Sequence, residues 1–194
     1  MKRFVFGLGN PGQKYQHTRH NVGFMLIEEL VRKCSGNDFT ANAREYPKLH
    51  AKLYRICDTF FAEPTTYMND SGRAVQSVIE YFDKDLSAAL KTGETAGTAE
   101  HPSIILIYDD LDIQLGQYKI QFGKGPKVHN GLNSVRQYLG TDAFLHVRVG
   151  VDGRNGQRTQ SGSDYVLTPF FGPEQQVLAQ TLSAVSEELH RRLQ

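Results

Sequence analysis

Apolar and polar residues along this chain follow two different periods. Phe4-Val5-Phe6 is a short apolar run that predicts a buried strand, and Ile104-Ile-Leu-Ile-Tyr108 is a longer one. A continuous run of that kind marks a central strand covered on both faces, and here it ends in Asp109-Asp110-Leu111-Asp112. Leu49, Ala51 and Leu53 alternate with polar neighbours, as do Tyr118, Ile120 and Phe122, and Val147, Val149 and Val151. Alternation predicts strands with one wet face, so Lys119 and Arg148 should point to solvent, while His146 reads as a surface or structural residue. Phe60-Phe61-Ala62 predicts a further strand, with Asp58-Thr59 turning into it. Helical spacing takes over at Val22, Met25, Leu26 and Leu30, after Asn21 as an expected N-cap. It recurs at Val75, Val78, Ile79 and Phe82, and at Leu132, Val135 and Leu139. The last helix should open at Gly172-Pro173-Glu174 and bury Leu178, Leu182, Val185 and Leu189. Ser35 to Pro47 reads as a loop, Asp85 to Leu90 as a short helical turn, and Thr92 to Pro102 has nothing to bury. The fold class is α/β: a single domain over residues 1–194, a twisted mixed sheet flanked by helices, with a surface excursion at about 85–102.

The polar loops that follow the strands are crowded with side chains able to do chemistry. The densest is Gly7-Leu-Gly-Asn-Pro-Gly-Gln-Lys-Tyr-Gln-His-Thr-Arg-His-Asn-Val-Gly23. Gly7, Gly9 and Gly12 match G-x-G-x-x-G, but Pro11 and the run to His20 postpone the helix that should receive a pyrophosphate. No acidic residue closes a second strand, so a dinucleotide site is disfavoured. Ligands gather at the carboxyl ends of strands in such sheets, where these loops would bring Asn10, His20, Asn69, Asp109, His129 and Asn130 together. His20 is the candidate general base, and Asp109 is the carboxylate best placed to orient it. Asp110 should point to the other face. Each of these residues is also an ordinary turn or cap residue, and His129 is explained by fixing its own loop. No serine or cysteine stands in a nucleophile-elbow setting, so a hydrolase here would activate water.

Composition narrows the class without naming it. With 39% hydrophobic and 22% charged residues, the chain is an ordinary globular one. The net charge of +1 means that a nucleic-acid partner would have to be met by a local basic patch. Cys34 and Cys57 lack metal-ligand spacing and suit a reducing compartment, no stretch has membrane-span length, and the expected location is cytoplasmic.

Taken in order, four segments resemble the signatures of the bacterial-type peptidyl-tRNA hydrolase family. They are Val5 to Gly23, Pro64-Thr-Thr-Tyr-Met-Asn-Asp-Ser-Gly72, Asp109-Asp-Leu-Asp112 and His129-Asn-Gly-Leu132. The resemblance implies hydrolysis of the ester between a peptide and the 3′-end of tRNA, with His20 as base, Asp109 as its partner and Asn10 helping to select N-blocked substrates. It further implies that Tyr15, Tyr67, Asn69 and Asn130 contact substrate and that Lys119 and Arg148 contact tRNA phosphates. Lys124, Lys127 and Arg136 are candidates to extend that patch, each equally explained as a solubilising charge. No metal or organic cofactor is implied, no membrane is involved, and a monomer is expected. An RNA-binding protein on the same fold that has lost turnover is the alternative. The chain departs from the family pattern at the stiffer loop Gly-Lys-Gly-Pro-Lys-Val before His129, at the long excursion, and at Val149 to Asn155.

Overall fold

The architecture comes from a computed structural model, which describes residues 2–35, 43–93, 97–154, 156, 157 and 159–194. Parts of the expected loop (36–42), of the excursion (94–96) and of the Val149–Asn155 turn (Asn155) lie outside the described residues. Seven strands form one mixed sheet: β1 (Arg3–Gly7), β2 (Ala43–Tyr46), β3 (Ala51–Ile56), β4 (Thr59–Pro64), β5 (Ile104–Gln114), β6 (Tyr118–Phe122) and β7 (Leu145–Asp152). Their order is β2-β3-β4-β1-β5-β7-β6. The central four, β4, β1, β5 and β7, run parallel, and antiparallel strands close both edges. On one face lie α1 (Val22–Ser35) and α6 (Pro173–Leu193). The other face carries α2 (Ser71–Phe82), α3 (Lys84–Lys91) and α4 (Asn130–Leu139), while the short α5 (Gly162–Val166) precedes α6.

The two cores follow the strand pleat. Phe4, Phe6, Leu106 and Tyr108 pack toward α2 and α4; Val5, Ile105, Ile107 and Val147 pack toward α1 and α6. All of these side chains are buried, as the continuous apolar run of β5 requires. Two glycines then decide where the loop after β1 goes. A Cβ on Gly23 would overlap the Leu8 and Ile107 carbonyl oxygens, and one on Gly7 would overlap Gly23 itself. Only glycine lets the first turn of α1 cross so closely over the carboxyl ends of β1 and β5. That crossing sets His20, in the 3-10 turn Arg19–Asn21 just before α1, above Asp109.

Several expectations are corrected. Residues 43–46 of the expected loop form β2, a short strand paired with β3. β5 continues past Asp109 to Gln114, with a register shift between Asp110 and Gln114. The turn before β4 is Cys57-Asp58, one residue early, with Cys57 at φ 52°. Asp85 to Leu90 is helical as expected, within α3.

The wet face expected for β7 does not exist: His146 and Arg148 are buried. β7 is an inner strand flanked by β5 and β6, and the segment 123–128 folds over it, with Gly125 against the His146 ring. Each buried polar group there has found a partner, as burial demands. The His146 Nδ1 lies 2.7 Å from the Tyr108 hydroxyl, and Arg148 Nε donates to Asp110 at 2.7 Å.

Candidate active site

At the carboxyl end of the sheet a cleft of about 780 Å³ opens between the His20 turn, the loop after β4, the Asp109–Asp112 stretch of β5, the loop after β6 with the start of α4, and α5. Asn10, His20, Asn69, Asp109, His129 and Asn130 all line it, so the expected convergence of polar loops occurs. Tyr15 and Tyr67 do not line it; Tyr67 stands out in solvent and Tyr15 lies under the Lys14 ammonium.

Hydrogen bonding fixes the protonation pattern at the centre. Leu132 N–H donates to His129 Nδ1 at 3.1 Å, capping α4, so that nitrogen is an acceptor and the ring proton sits on Nε2. His129 Nε2–H then donates to Asp109 Oδ1 at 3.1 Å. His20 Nδ1–H donates to the same oxygen at 2.7 Å, so in the neutral ring the lone pair is on Nε2, the nitrogen free to act as a base. Burial alone would push the Asp109 carboxyl up, but the electrostatic attraction and N–H groups of the two imidazoles hold it well below the usual carboxylate range. Burial acts to lower the His20 pKa; the Asp109 charge and hydrogen bond outweigh it and raise the imidazole above its ordinary value. His129, expected only to fix its own loop, thus also anchors the Asp109 carboxylate. Its position in the fourth signature, directly before Asn130, was the signal available in the sequence.

His20, Asp109 and His129 are close enough together to suggest a cation site. The donor set argues against one. A cation on His129 Nε2 would force the ring proton onto Nδ1, where it would face the Leu132 N–H and break the cap.

Asn10 is held from three sides. Its backbone N–H donates to Asn21 Oδ1 and its carbonyl accepts from Asn21 Nδ2, both at 2.9 Å. Its side-chain Oδ1 accepts the Met68 N–H at 2.8 Å, so the amide is oriented and Nδ2 is the end left for a ligand. Asn21 therefore does not cap α1 as expected but clamps the Asn10 loop. Gly131 lets α4 approach Met68 directly, since a Cβ there would overlap the Met68 sulfur.

The basic residues divide. Lys119, Lys124 and Lys127 are exposed on β6 and the following loop. Arg148, expected beside them in solvent, is corrected: its guanidinium also donates to Gln121 at 3.2 Å, and it neutralises Asp110, whose other oxygen accepts the Asp112 N–H at 2.8 Å. Arg136 is tied to Asp142 by two hydrogen bonds. Asp110 does face away from Asp109, as the pleat predicted.

The fold and the histidine oriented at the carboxyl end of its sheet define a hydrolase-type site. The model of the family "Peptidyl-tRNA hydrolase" matches residues 4–194, and the chain belongs to that family. It is 36% identical to a peptidyl-tRNA hydrolase of Sulfurovum sp. (strain NBC37-1) over 96% of this chain and 86% of the relative. To one of Aliarcobacter butzleri it is 35% identical, over 93% and 88%. Among solved structures, peptidyl-tRNA hydrolase from Acinetobacter baumannii shares the fold with a TM-score of 0.74 at 24% identity, covering 96% of this chain and 85% of that one. No helix among the described residues is long and apolar enough to cross a membrane.

Proposed function

We propose that this chain releases tRNA from peptidyl-tRNA by direct attack of a water molecule whose proton passes to His20. The observation that carries the reading is the pair of N–H donors on Asp109 Oδ1, which fixes the His20 tautomer with Nε2 bare. Water bound at Nε2 attacks the ester carbonyl as its proton moves to the imidazole. The tetrahedral intermediate then collapses, the carbonyl–oxygen bond to the ribose breaks, and the 3′-oxygen leaves with the proton returned from His20. Asn10 Nδ2, with its orientation fixed by Met68, is a preorganised donor for a carbonyl or developing oxyanion. Asn69 and Asn130 supply exposed amides for the peptide backbone, with Tyr15 and Tyr67 outside the cleft contacting more distant parts of the substrate.

In this reading Lys119, Lys124 and Lys127 meet the tRNA phosphates. Arg148, in register with Lys119 and bonded to Asp110, supports the patch from beneath. The step needs no metal or organic cofactor. A peptidyl-tRNA substrate supports a cytoplasmic location, and one chain carrying every group the mechanism uses supports a monomer.

The test is release of an N-acetylated aminoacyl group from tRNA, with free aminoacyl-tRNA as control. Wild type should cleave only the blocked substrate, and His20→Ala should lose roughly 10²- to 10⁴-fold in kcat while still binding tRNA. If wild type binds tRNA and never cleaves, the RNA-binding alternative replaces the enzyme. Phosphate contacts predict a steep fall of affinity with salt, and Lys119→Ala should flatten the log–log slope by about 1.

A further inference from the structure

Arg19, the residue directly before His20, is an almost fully buried cation whose partners all lie on the opposite wall of the cleft or behind it. Its Nε donates to Thr168 Oγ1 at 3.3 Å, one terminal nitrogen to the Val151 carbonyl at 3.0 Å, and the other to Glu174 Oε2 at 2.6 Å. The flat guanidinium also stacks on the rings of Tyr165 and Phe170, at 4.3 and 4.6 Å. The backbone joins in: Arg19 N–H donates to the Thr168 carbonyl at 3.0 Å, and Thr18 bridges to Pro169. A single side chain thus links the base-bearing turn to the end of β7, to the first turn of α6, and to the segment 165–170. That same segment supplies Val166 and Leu167 to the cleft, and Leu167 is half exposed there.

Stability alone does not explain a buried charge, because an apolar replacement of similar volume often holds a structure as firmly. What a guanidinium adds is direction. Its donors leave in a fixed plane, and each partner sets one coordinate of the segment relative to His20. Lysine at this position would keep the charge and lose two of the three directions along with both stacked faces.

We propose that Arg19, latched to Glu174, is a positioning residue that sets the separation between His20 and the Val166–Leu167 wall, and so how the acyl group of the substrate is gripped. Proton transfer itself is left to His20 and Asp109. The inference rests on the peptidyl-tRNA reading of the cleft.

The experiment compares wild type, Glu174→Gln and Arg19→Lys on N-acetylglycyl-tRNA and N-acetylleucyl-tRNA, with KM and kcat determined separately. The His20 imidazole is also titrated by NMR in each protein. Both variants should raise KM for the leucyl substrate roughly 10-fold and narrow the preference between the two substrates. kcat should stay within about 3-fold and the imidazole titration should not move. If wild type cleaves neither substrate, the functional reading fails first. If wild type cleaves and kcat falls with KM unchanged, or the titration shifts, Arg19 acts on the base and the proposal is overturned. Unchanged KM and preference in a folded Glu174→Gln protein overturn it equally, whether or not Arg19→Lys folds.

Discussion

β1 is flanked by two strands that each bury a carboxylate toward α1: Asp109 on β5 and Glu63 on β4. Their burial is nearly equal, at 2% and 6% exposed, yet their chemistry is opposite. Asp109 accepts two imidazole N–H groups on one oxygen and stays charged. Glu63 has one firm partner, the Lys52 ammonium at 3.1 Å, and its Oε1 finds no hydrogen bond among the described residues. Burial pushes the Glu63 carboxyl up to about 7; Lys52 resists, the exposed Glu28 on α1 adds to the rise, and Tyr54 gives minor support. Depth alone therefore does not decide whether a buried acid is ionised. The number of donors aimed at it does.

The comparison is broken most severely at Asp109. Asp109→Asn removes the charge while keeping the shape, and kcat should fall by roughly 10²- to 10⁴-fold with tRNA binding nearly intact. Because Asp109 raises the His20 pKa, the acid limb of the wild-type rate profile should lie above that of free imidazole. It should move to lower pH in the variant. A loss confined to binding would mean that Asp109 has another role.

A smaller effect is expected at Lys52. Lys52→Met strips Glu63 of the cation paired with it among the described residues and should cost about 1 to 3 kcal/mol of stability at pH 8, read by denaturant unfolding. Adding Glu63→Gln to that variant should restore most of the loss. If it does not, Lys52 stabilises through its stem on Tyr54 rather than through Glu63.

Smallest, and opposite in sign, is Glu63→Gln alone. Glu63 has its folded pKa raised, so the neutral acid is the form that favours the fold. That contribution is complete below the unfolded value near 4.5 and is lost as pH rises through about 7. The amide should therefore gain about 1 to 2 kcal/mol at pH 8, a rise in Tm of roughly 3 to 8 °C, and almost nothing at pH 4. A gain independent of pH would place its origin in packing.

The sequence discloses these two acids unequally, for physical reasons. Asp109 stands at the end of an apolar run that only a two-sided strand explains, so its place at the carboxyl end of the sheet was legible. His20 was legible from the loop and Asn21 that lead into α1. Alternation, by contrast, reports the pleat and not what covers it. His146 and Arg148 alternate with valines like any wet face, and only the folded-over segment 123–128 and the carboxylate of Asp110 turn them into buried, paired groups. Local rules read Asn21 as a cap because they see the next helix but not the loop 11 residues back that it clamps. β2 was missed because four residues on an edge strand carry too little apolar pattern to show.

The close crossing that Gly7 and Gly23 permit also has a consequence for how the chain reaches its native state. His20 and Asp109 are 89 residues apart, and the β1–β5 pairing that brings them together matches Phe4 with Ile104 across a closure of 100 residues. Non-local parallel pairing of this kind is slow, because loop entropy is lost before any contact is gained. The oriented base is therefore among the last features to form. A chain still emerging from the ribosome holds every residue of the first signature long before it holds a catalyst.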